Sequence, residues 1–581
     1  KLSEPERPMA REKDYAPSKI CLALICYALV YLTLAFVSYT KESATYDEAV
    51  HLTAGYATLS ESDYRIDPTH PPLARMWSAL PLLLLDVRLD KEIPEWKRGD
   101  WWEISHAFVF AQNDADTLLF SSRFMIALLG CALGVLLFAW ARILFNSHTA
   151  FLVLGMYAFE PTLFSHARYV TTDMGLTVSA FTAVFSTWLL FRLRSWPRAA
   201  FFLLAWACLP LSKFSGVLFL PVLGCAFVWR GLSTQPWPGK LGFHRLTDGA
   251  KERFAFIAAL CMGLALVFVF LVWACYGFHY RITPADAPPM VFNPLPQSET
   301  LESFWLVLLN TIDQYRLLPN AFTQGFLAAL VETHRGGYLL GEQGHWWYYY
   351  PFAMWFKAPG IYSVLALFFV VFFKRFDVGV KKELFFLGSF ALFFIAFAMT
   401  RSINLGVRHV LPIYPFIILG LGAVLHYLLA IGRSKVSWAL VVVLALEFAG
   451  SYPQTISFFS PYIGGSVVGH QYLTDSNLDW GQGLKNLEAW MGEHGVEHVN
   501  LSYYGTADPG YYNIPYTPFG QNPFSIKETA QEMRLPGYVA VSVSHLSLNK
   551  DGQYNFLRAM IPEERLDGSI WLYWLEKMPG R

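Results

Sequence analysis

Apolar runs of membrane-spanning length alternate with short polar breaks from residue 20 to residue 451. They run from Ile20 to Tyr39, Leu118 to Ala141, Thr149 to Phe164, Val170 to Phe191 and Ala199 to Trp229. Beyond these lie Phe254 to Tyr276, Trp346 to Phe373, Leu384 to Met399, Leu405 to Ile431 and Val436 to Ser451. A helix of roughly 20 apolar residues crosses the hydrocarbon core of a bilayer, so each run predicts a transmembrane helix. The run from Ala199 to Trp229 is longer than one span and is interrupted at Pro210, Ser212 and Lys213, which predicts two shorter helices meeting near Lys213. After Tyr452 the pattern changes to short alternating segments separated by Gly, Asn, Asp and Pro. Val496 to Tyr503, Tyr538 to Val543 and Ile570 to Leu575 read as strands, and Gly483 to Glu493 and Ile526 to Met533 as helices. The expected fold is therefore a polytopic α-helical membrane protein of about eleven transmembrane helices with a small external α/β C-terminal domain. Its expected divisions are a cytoplasmic segment over residues 1–19, a transmembrane domain over 20–451 with external loops 40–117 and 277–345, and a soluble domain over 452–581.

Composition agrees with the pattern. Hydrophobic residues make up 54% of the chain and charged residues only 15%, which excludes an ordinary soluble protein. Lys and Arg number 44 and Asp and Glu 44, so no basic surplus points to nucleic acid. The seven cysteines fall in or beside apolar runs, with no zinc spacing and no disulfide framework. The first run follows a basic leader, is too long for a signal-peptide core and is not followed by a small-residue cleavage site, so it reads as a retained helix. Basic residues set the orientation. Lys1 to Lys19, Arg142, Arg192 to Arg198, Arg230 to Arg253, Lys374 to Lys382 and Arg433 with Lys435 fall on one side, which is then cytoplasmic. The polar clusters all fall on the other.

Those clusters carry the candidate chemistry. Asp47 and Glu48 follow the first run, and Asp67 to Pro72 form a proline-stiffened turn with His70 at its centre. An acidic pair at a helix end is commonly a solvated cap. Here, however, Asp173 stands at the external mouth of another helix and Lys213 and Lys357 lie within apolar stretches, where an unpaired charge costs several kcal/mol. Acids and bases from separate helices are thus expected to converge. Tyr280 and Arg281 follow one span, Trp346 to Tyr350 open another, and Arg408 and His409 begin a third. The aromatic run reads as an interfacial belt. Cations at this depth suit a phosphate near the bilayer surface, which Lys and Arg bind through charge-assisted hydrogen bonds.

In their order along the chain, these motifs carry a resemblance. Tyr46-Asp47-Glu48, Asp67-Pro68-Thr69-His70-Pro71-Pro72-Leu73, Thr172-Asp173, Ser212-Lys213-Phe214-Ser215-Gly216, Tyr348 to Pro351 and Arg408-His409-Val410-Leu411-Pro412-Ile413-Tyr414-Pro415 resemble the C-type glycosyltransferase superfamily. The resemblance covers roughly Lys19 to Ser451 and is nearest to the protein O-mannosyltransferase-like and aminoarabinose-transferase-like branch. It implies the C-type glycosyltransferase fold and a hexosyl- or pentosyltransferase that takes a sugar from a polyprenyl-phosphate donor. Asp47 would be the catalytic base, with Asp173 and Glu48 as further catalytic carboxylates. The expected phosphate-binding residues are Lys213, Arg281, Lys357, Arg408 and His70, and the expected substrate-binding residues Tyr348, Tyr349 and His409. The histidine-proline-proline motif matches the O-mannosyltransferase branch; the aminoarabinose branch has lysine where His70 stands, so lipid A specificity is not carried over.

The chemistry is consistent with the resemblance. Nucleotide sugars are cytoplasmic, so an external site needs a donor delivered through the membrane. One base with in-line displacement inverts the anomeric centre, whereas double displacement needs a carboxylate nucleophile. With cations available no cofactor is required; a divalent metal is compatible with this chemistry but not implied, and no metal ligands are assigned. The expected partners are the lipid-linked donor, a protein, glycan or lipid acceptor, and membrane lipids. The expected location is a bacterial inner membrane, with the site facing the periplasm. The alternative is a secondary transporter or flippase of a lipid-linked or anionic substrate, which the break near Lys213 favours. The absence of an internal repeat and the gathering of charges at one surface weigh against it.

Overall fold

A computed structural model describes residues 15–241, 244–246, 248–283, 300–331, 335–520, 531–549 and 552–578. Among the described residues seven helices are long and apolar enough to cross a membrane: Pro17–Tyr39, Ala115–Leu144, Thr172–Arg192, Phe214–Leu232, Ala250–Cys275, Val378–Met399 and Val407–Ala430. Tyr349–Lys357 and Gly360–Arg375 together make an eighth span, bent by 114°, if they cross as one. The bend falls at Ala358 and Pro359, because proline lacks the amide that would continue the ladder. The expected eleven is reached only by adding the shorter helices Ser147–Ala158, Trp196–Ser212 and Ser434–Ala449. By length and composition the described residues supply seven or eight.

The break in the long run falls at Lys213. The helix ends at Ser212, Lys213 is extended at φ −160° and ψ 139°, and Phe214–Phe219 continues as a 3-10 turn. Packing among the helices is aromatic and close. Trp140 lies 4.9 Å from Phe185 and 5.2 Å from Phe181, centroid to centroid, and the Trp206 indole donates to Ala183 O and to Thr187 Oγ1. Lipid tails are as apolar as leucine, so such van der Waals contacts and interhelical hydrogen bonds, rather than hydrophobic burial, hold these spans together.

The two regions read as loops are partly helical. Residues 40–117 contain Glu48–Glu61, Leu73–Ala79, Pro94–Arg98 and Trp101–His106, and residues 277–345 contain Thr300–Gln314, Asn320–Val331 and a short hairpin pairing Gly337–Leu339 with Glu342–Gly344. The C-terminal part holds a five-stranded sheet in the order Tyr516–Pro518, Val499–Ser502, Gly537–Ser542, Ile570–Leu575, Glu564–Leu566. The first three strands are parallel and the last two pair antiparallel. Leu484–His494 is the helix expected over Gly483 to Glu493. The helix expected over Ile526 to Met533 lies mostly outside the described residues, and Gln531 to Met533 are irregular. Leu484, Leu487 and Met491 of this part share one buried cluster with Leu52, Leu82 and Phe108, so its core is continuous with that of the 40–117 region.

Candidate active site

Asp47 is the residue immediately before the Glu48–Glu61 helix, and its carboxylate faces a cavity of about 1190 Å³. Adjacent residues at the start of a helix point about 100° apart, so Glu48 turns elsewhere. Its carboxylate is fully buried, pairs with Arg123 at 2.6 Å and accepts the amides of Thr45 and Val170. Glu48 does not line the cavity, because those four donors hold its carboxylate against Arg123.

Three further expected residues meet Asp47. Arg408 Nη1 lies 2.7 Å from Asp47 Oδ2 and 3.7 Å from Asp173 Oδ2, and Lys213 Nζ donates to Asp173 Oδ1 at 2.5 Å. Asp173 is almost fully buried, whereas Lys213 and Arg408 line the cavity. The extended backbone at Lys213 is what delivers its side chain there: a continuous helix would carry it past the site. His409 and His70 line the same cavity.

The other expected residues are placed differently. Lys357 is buried and donates to the carbonyls of Ile456, at 2.7 Å, and Asn477, at 2.6 Å, so its charge anchors the C-terminal segment instead of facing the cavity. Arg281 is exposed and does not line the cavity. Tyr349 is buried against Asn477, whose side-chain amide donates to its hydroxyl, and Tyr348 packs on Trp347 and Phe352. The tyrosine of this run that lines the cavity is Tyr350, which donates to Ile403 O at 2.6 Å. A helix beginning at Tyr349 turns each of three successive tyrosines in a different direction.

The histidine-proline-proline turn forms a second polar wall. Asp67 sits at φ 47°, Thr69 Oγ1 donates to its Oδ1, and His70 Nδ1 lies 2.8 Å from Oδ2. Arg75 donates to the carbonyls of Ile66, Asp67 and His70, bracing the turn from behind. Burial opposes ionisation of Asp67, but His70 and Arg75 outweigh it and hold the carboxyl well below the usual range. The turn is packed without slack. A Cβ on Gly325 would come 2.1 Å from Pro68 O, and one on Gly55 would come 2.3 Å from Arg75 O, so both positions require the bare backbone. His51 completes this wall. It shares a face with Asp47 one turn further along the helix. Burial lowers its pKa to about 3.

Apart from Arg335, Arg401 and Ser215, the rest of the cavity is mostly apolar. Phe202, Trp206, Leu218, Phe268, Phe322 and Phe394 are among its walls, so a charged end opens into a greasy channel between helices. The C-terminal part closes over the charged end. Trp480 O accepts the Tyr46 amide at 2.8 Å, Thr506 Oγ1 donates to Tyr46 O at 2.7 Å, and the Trp480 ring lies 4.5 Å from the Arg408 guanidinium.

Residues 68–282 match the family model of dolichyl-phosphate-mannose-protein mannosyltransferase. That stretch is O-mannosyltransferase-like. It carries the His70, Asp173 and Lys213 motifs, and with it the resemblance to the C-type glycosyltransferase superfamily holds. Comparison with curated proteins gave no match. Among solved structures, the chain is similar to ArnT from Cupriavidus metallidurans in the apo state, at TM-score 0.45 and 12% identity over 95% of this chain and 98% of that one. It is also similar to ArnT from the same organism bound to undecaprenyl phosphate, at TM-score 0.43 and 12% identity over 96% and 98% of the two chains.

Proposed function

We propose that the protein is a membrane glycosyltransferase that moves a sugar from a polyprenyl-phosphate donor to an acceptor hydroxyl, with inversion and with Asp47 as general base. The observation that carries this reading is the cavity itself, which joins Asp47, Lys213 and Arg408 at one end to an apolar channel at the other. A sugar phosphate on a long isoprenoid has that same polarity. In the step proposed, the acceptor oxygen bonds to the anomeric carbon, the bond from that carbon to the phosphate oxygen breaks, Asp47 takes the acceptor proton, and polyprenyl phosphate leaves. Lys213 and Arg408 stabilise the charge that develops on the leaving phosphate. His70 and His409 line the same cavity and are proposed to contact the donor head group. Protein cations serve here, so the chemistry requires no metal or other cofactor.

The ion pair between Asp47 and Arg408 fits this scheme. An arriving phosphate competes for Arg408 and releases the Asp47 carboxylate toward the acceptor. By the distribution of basic residues, the site faces the side away from the cytoplasm, the periplasmic side in a bacterial inner membrane. The acceptor on that side is a protein, glycan or lipid hydroxyl.

The test uses purified protein in detergent with a synthetic polyprenyl-phosphate sugar, with release of polyprenyl phosphate followed by mass spectrometry. Release without any ion gradient supports transfer. A protein that binds the donor but leaves it intact with every acceptor class offered, and that moves it across vesicle membranes, is a transporter instead.

A further inference from the structure

Two imidazole nitrogens converge on one carboxylate oxygen in the cavity wall. Asp67 Oδ2 lies 3.7 Å from His51 Nδ1 and 2.8 Å from His70 Nδ1. The two imidazole rings stand edge to face, with centroids 4.8 Å apart. All three donor atoms fall within 4.8 Å of one another, and all three residues line the cavity. His51 is 3% exposed, and its Nδ1 has no hydrogen-bond partner. At 3.7 Å it is beyond hydrogen-bond reach of Asp67. Like Arg75 Nε behind it, this is a buried polar atom left bare, which calls for an explanation. The other oxygen of Asp67 already accepts the Thr69 hydroxyl, so Oδ2 is the one aimed at both rings.

We propose that His51, Asp67 and His70 bind one zinc-class divalent ion, with its remaining position open to the cavity. Two imidazoles and one carboxylate are a zinc-type donor set, and magnesium and calcium prefer oxygen alone. Ligand atoms around a tetrahedral zinc stand about 3.3 Å apart at zinc–ligand distances of 2.0–2.1 Å. The separations to Asp67 Oδ2, 3.7 and 2.8 Å, fall on either side of that figure, and the set as a whole lies within 4.8 Å, so the two rings draw together to admit the ion. Arg75 Nη1 lies 3.6 Å from Asp67 Oδ2 and opposes the ion electrostatically. Its guanidinium is turned toward the carbonyls of Ile66, Asp67 and His70, however, so no N–H occupies the ligand position. Binding of the ion does not depend on the transfer reaction proposed above. The open position suits an anionic oxygen, such as that of a phosphate.

The experiment takes the full chain in detergent, strips it with a chelator and titrates it with Co²⁺ and then Zn²⁺. The expected result is one Co²⁺ per chain with visible d–d absorption in the intensity range of four or five ligands, displaced by one Zn²⁺. His51→Gln and His70→Gln are each expected to weaken binding on the order of a hundredfold or more. Because a variant can fail to fold, X-ray absorption of the zinc-loaded wild type supplies a second reading, with two imidazoles expected in the first shell. No stoichiometric binding by the wild type overturns the proposal. So does a bound ion without two imidazoles, or one whose affinity both folded variants retain.

Discussion

Glu48→Gln is expected to damage the fold more than the chemistry. The Glu48 carboxylate and the Arg123 guanidinium are both 0% exposed and joined by two hydrogen bonds, of 2.8 and 2.6 Å. Arg123 also donates to the carbonyls of Tyr39, Glu42 and Ser43, and Glu48 accepts the amides of Thr45 and Val170. The pair thus joins the end of the first span, the segment leading to Asp47, the Ala115–Leu144 helix and the residues before Asp173. Glutamine has the same shape but no charge, and its amide group turns a donor toward donors. Removing one partner of a buried pair costs about 3 to 5 kcal/mol, because the other charge is left uncompensated. Arg123 keeps three carbonyl acceptors, which places the expected loss near the lower end, about 3 kcal/mol. Thermal unfolding in detergent, followed by tryptophan fluorescence, reads this directly. Arg123→Met should lower the melting temperature similarly, and the double replacement Glu48→Leu with Arg123→Met should recover part of the loss. A Glu48→Gln protein that melts like wild type yet loses turnover a hundredfold would refute this reasoning and make Glu48 a chemical participant.

Asp47→Asn keeps the shape and removes basicity, so turnover should fall about 10² to 10⁴-fold, with donor binding and melting temperature largely retained. Near-normal turnover in the folded variant would remove Asp47 from the general-base role. Lys213→Ala should cost about 1.5 to 3 kcal/mol in donor binding or turnover, the worth of a charged hydrogen bond, and unchanged kinetics in a well-folded variant would leave Lys213 a structural partner of Asp173. A cysteine at Gly239, in the Gly239–Leu241 strand, should react with impermeant reagent only from the cytoplasmic side; labelling from outside would turn the site toward nucleotide sugars. Burial pushes the Asp567 carboxyl up to about 7, with the Glu42 charge adding to the effect. The folded pKa exceeds the unfolded value, so the protonated form stabilises the fold at pH 4, and this contribution, on the order of a few kcal/mol, is lost as pH rises through 7. Asp567 sits at φ 52°, a conformation asparagine also accepts, and Asp567→Asn should flatten melting temperature between pH 5 and pH 8. An unaltered pH slope in that variant would assign the dependence to another group.

The spans were legible because twenty apolar residues in a row have few alternatives to a membrane helix, and the break at Lys213 because Pro210 and a lysine interrupt such a run. The meeting of Asp47, Asp173, Lys213 and Arg408 was legible for a related reason: charges at membrane depth need partners, and these four are among those the apolar runs hold there. His51 carried no local signal, yet it could have been found by helical counting. Once Glu48 begins a helix, the rotation that turns Glu48 toward Arg123 brings His51 round to the face of Asp47. Tyr350 could not be chosen over Tyr348 or Tyr349, because three successive tyrosines fit any helical phase until a neighbour selects one. Lys357 was misplaced for the same reason at longer range: its partners are the carbonyls of Ile456 and Asn477, about 100 residues away or more, and no spacing within its own helix points to them. That contact also changes how the tail is understood. The segment that Lys357 anchors leads to Trp480, whose carbonyl holds the Tyr46 amide and whose ring lies against Arg408. The backbone before Asp47 and the cation paired with Asp47 therefore both rest on a residue more than 400 positions downstream of that acid. A C-terminal part that only recruited a partner could be removed without consequence for Asp47. This one supports the geometry between Asp47 and Arg408, so its loss should disturb the charged end of the cavity even with every transmembrane helix intact.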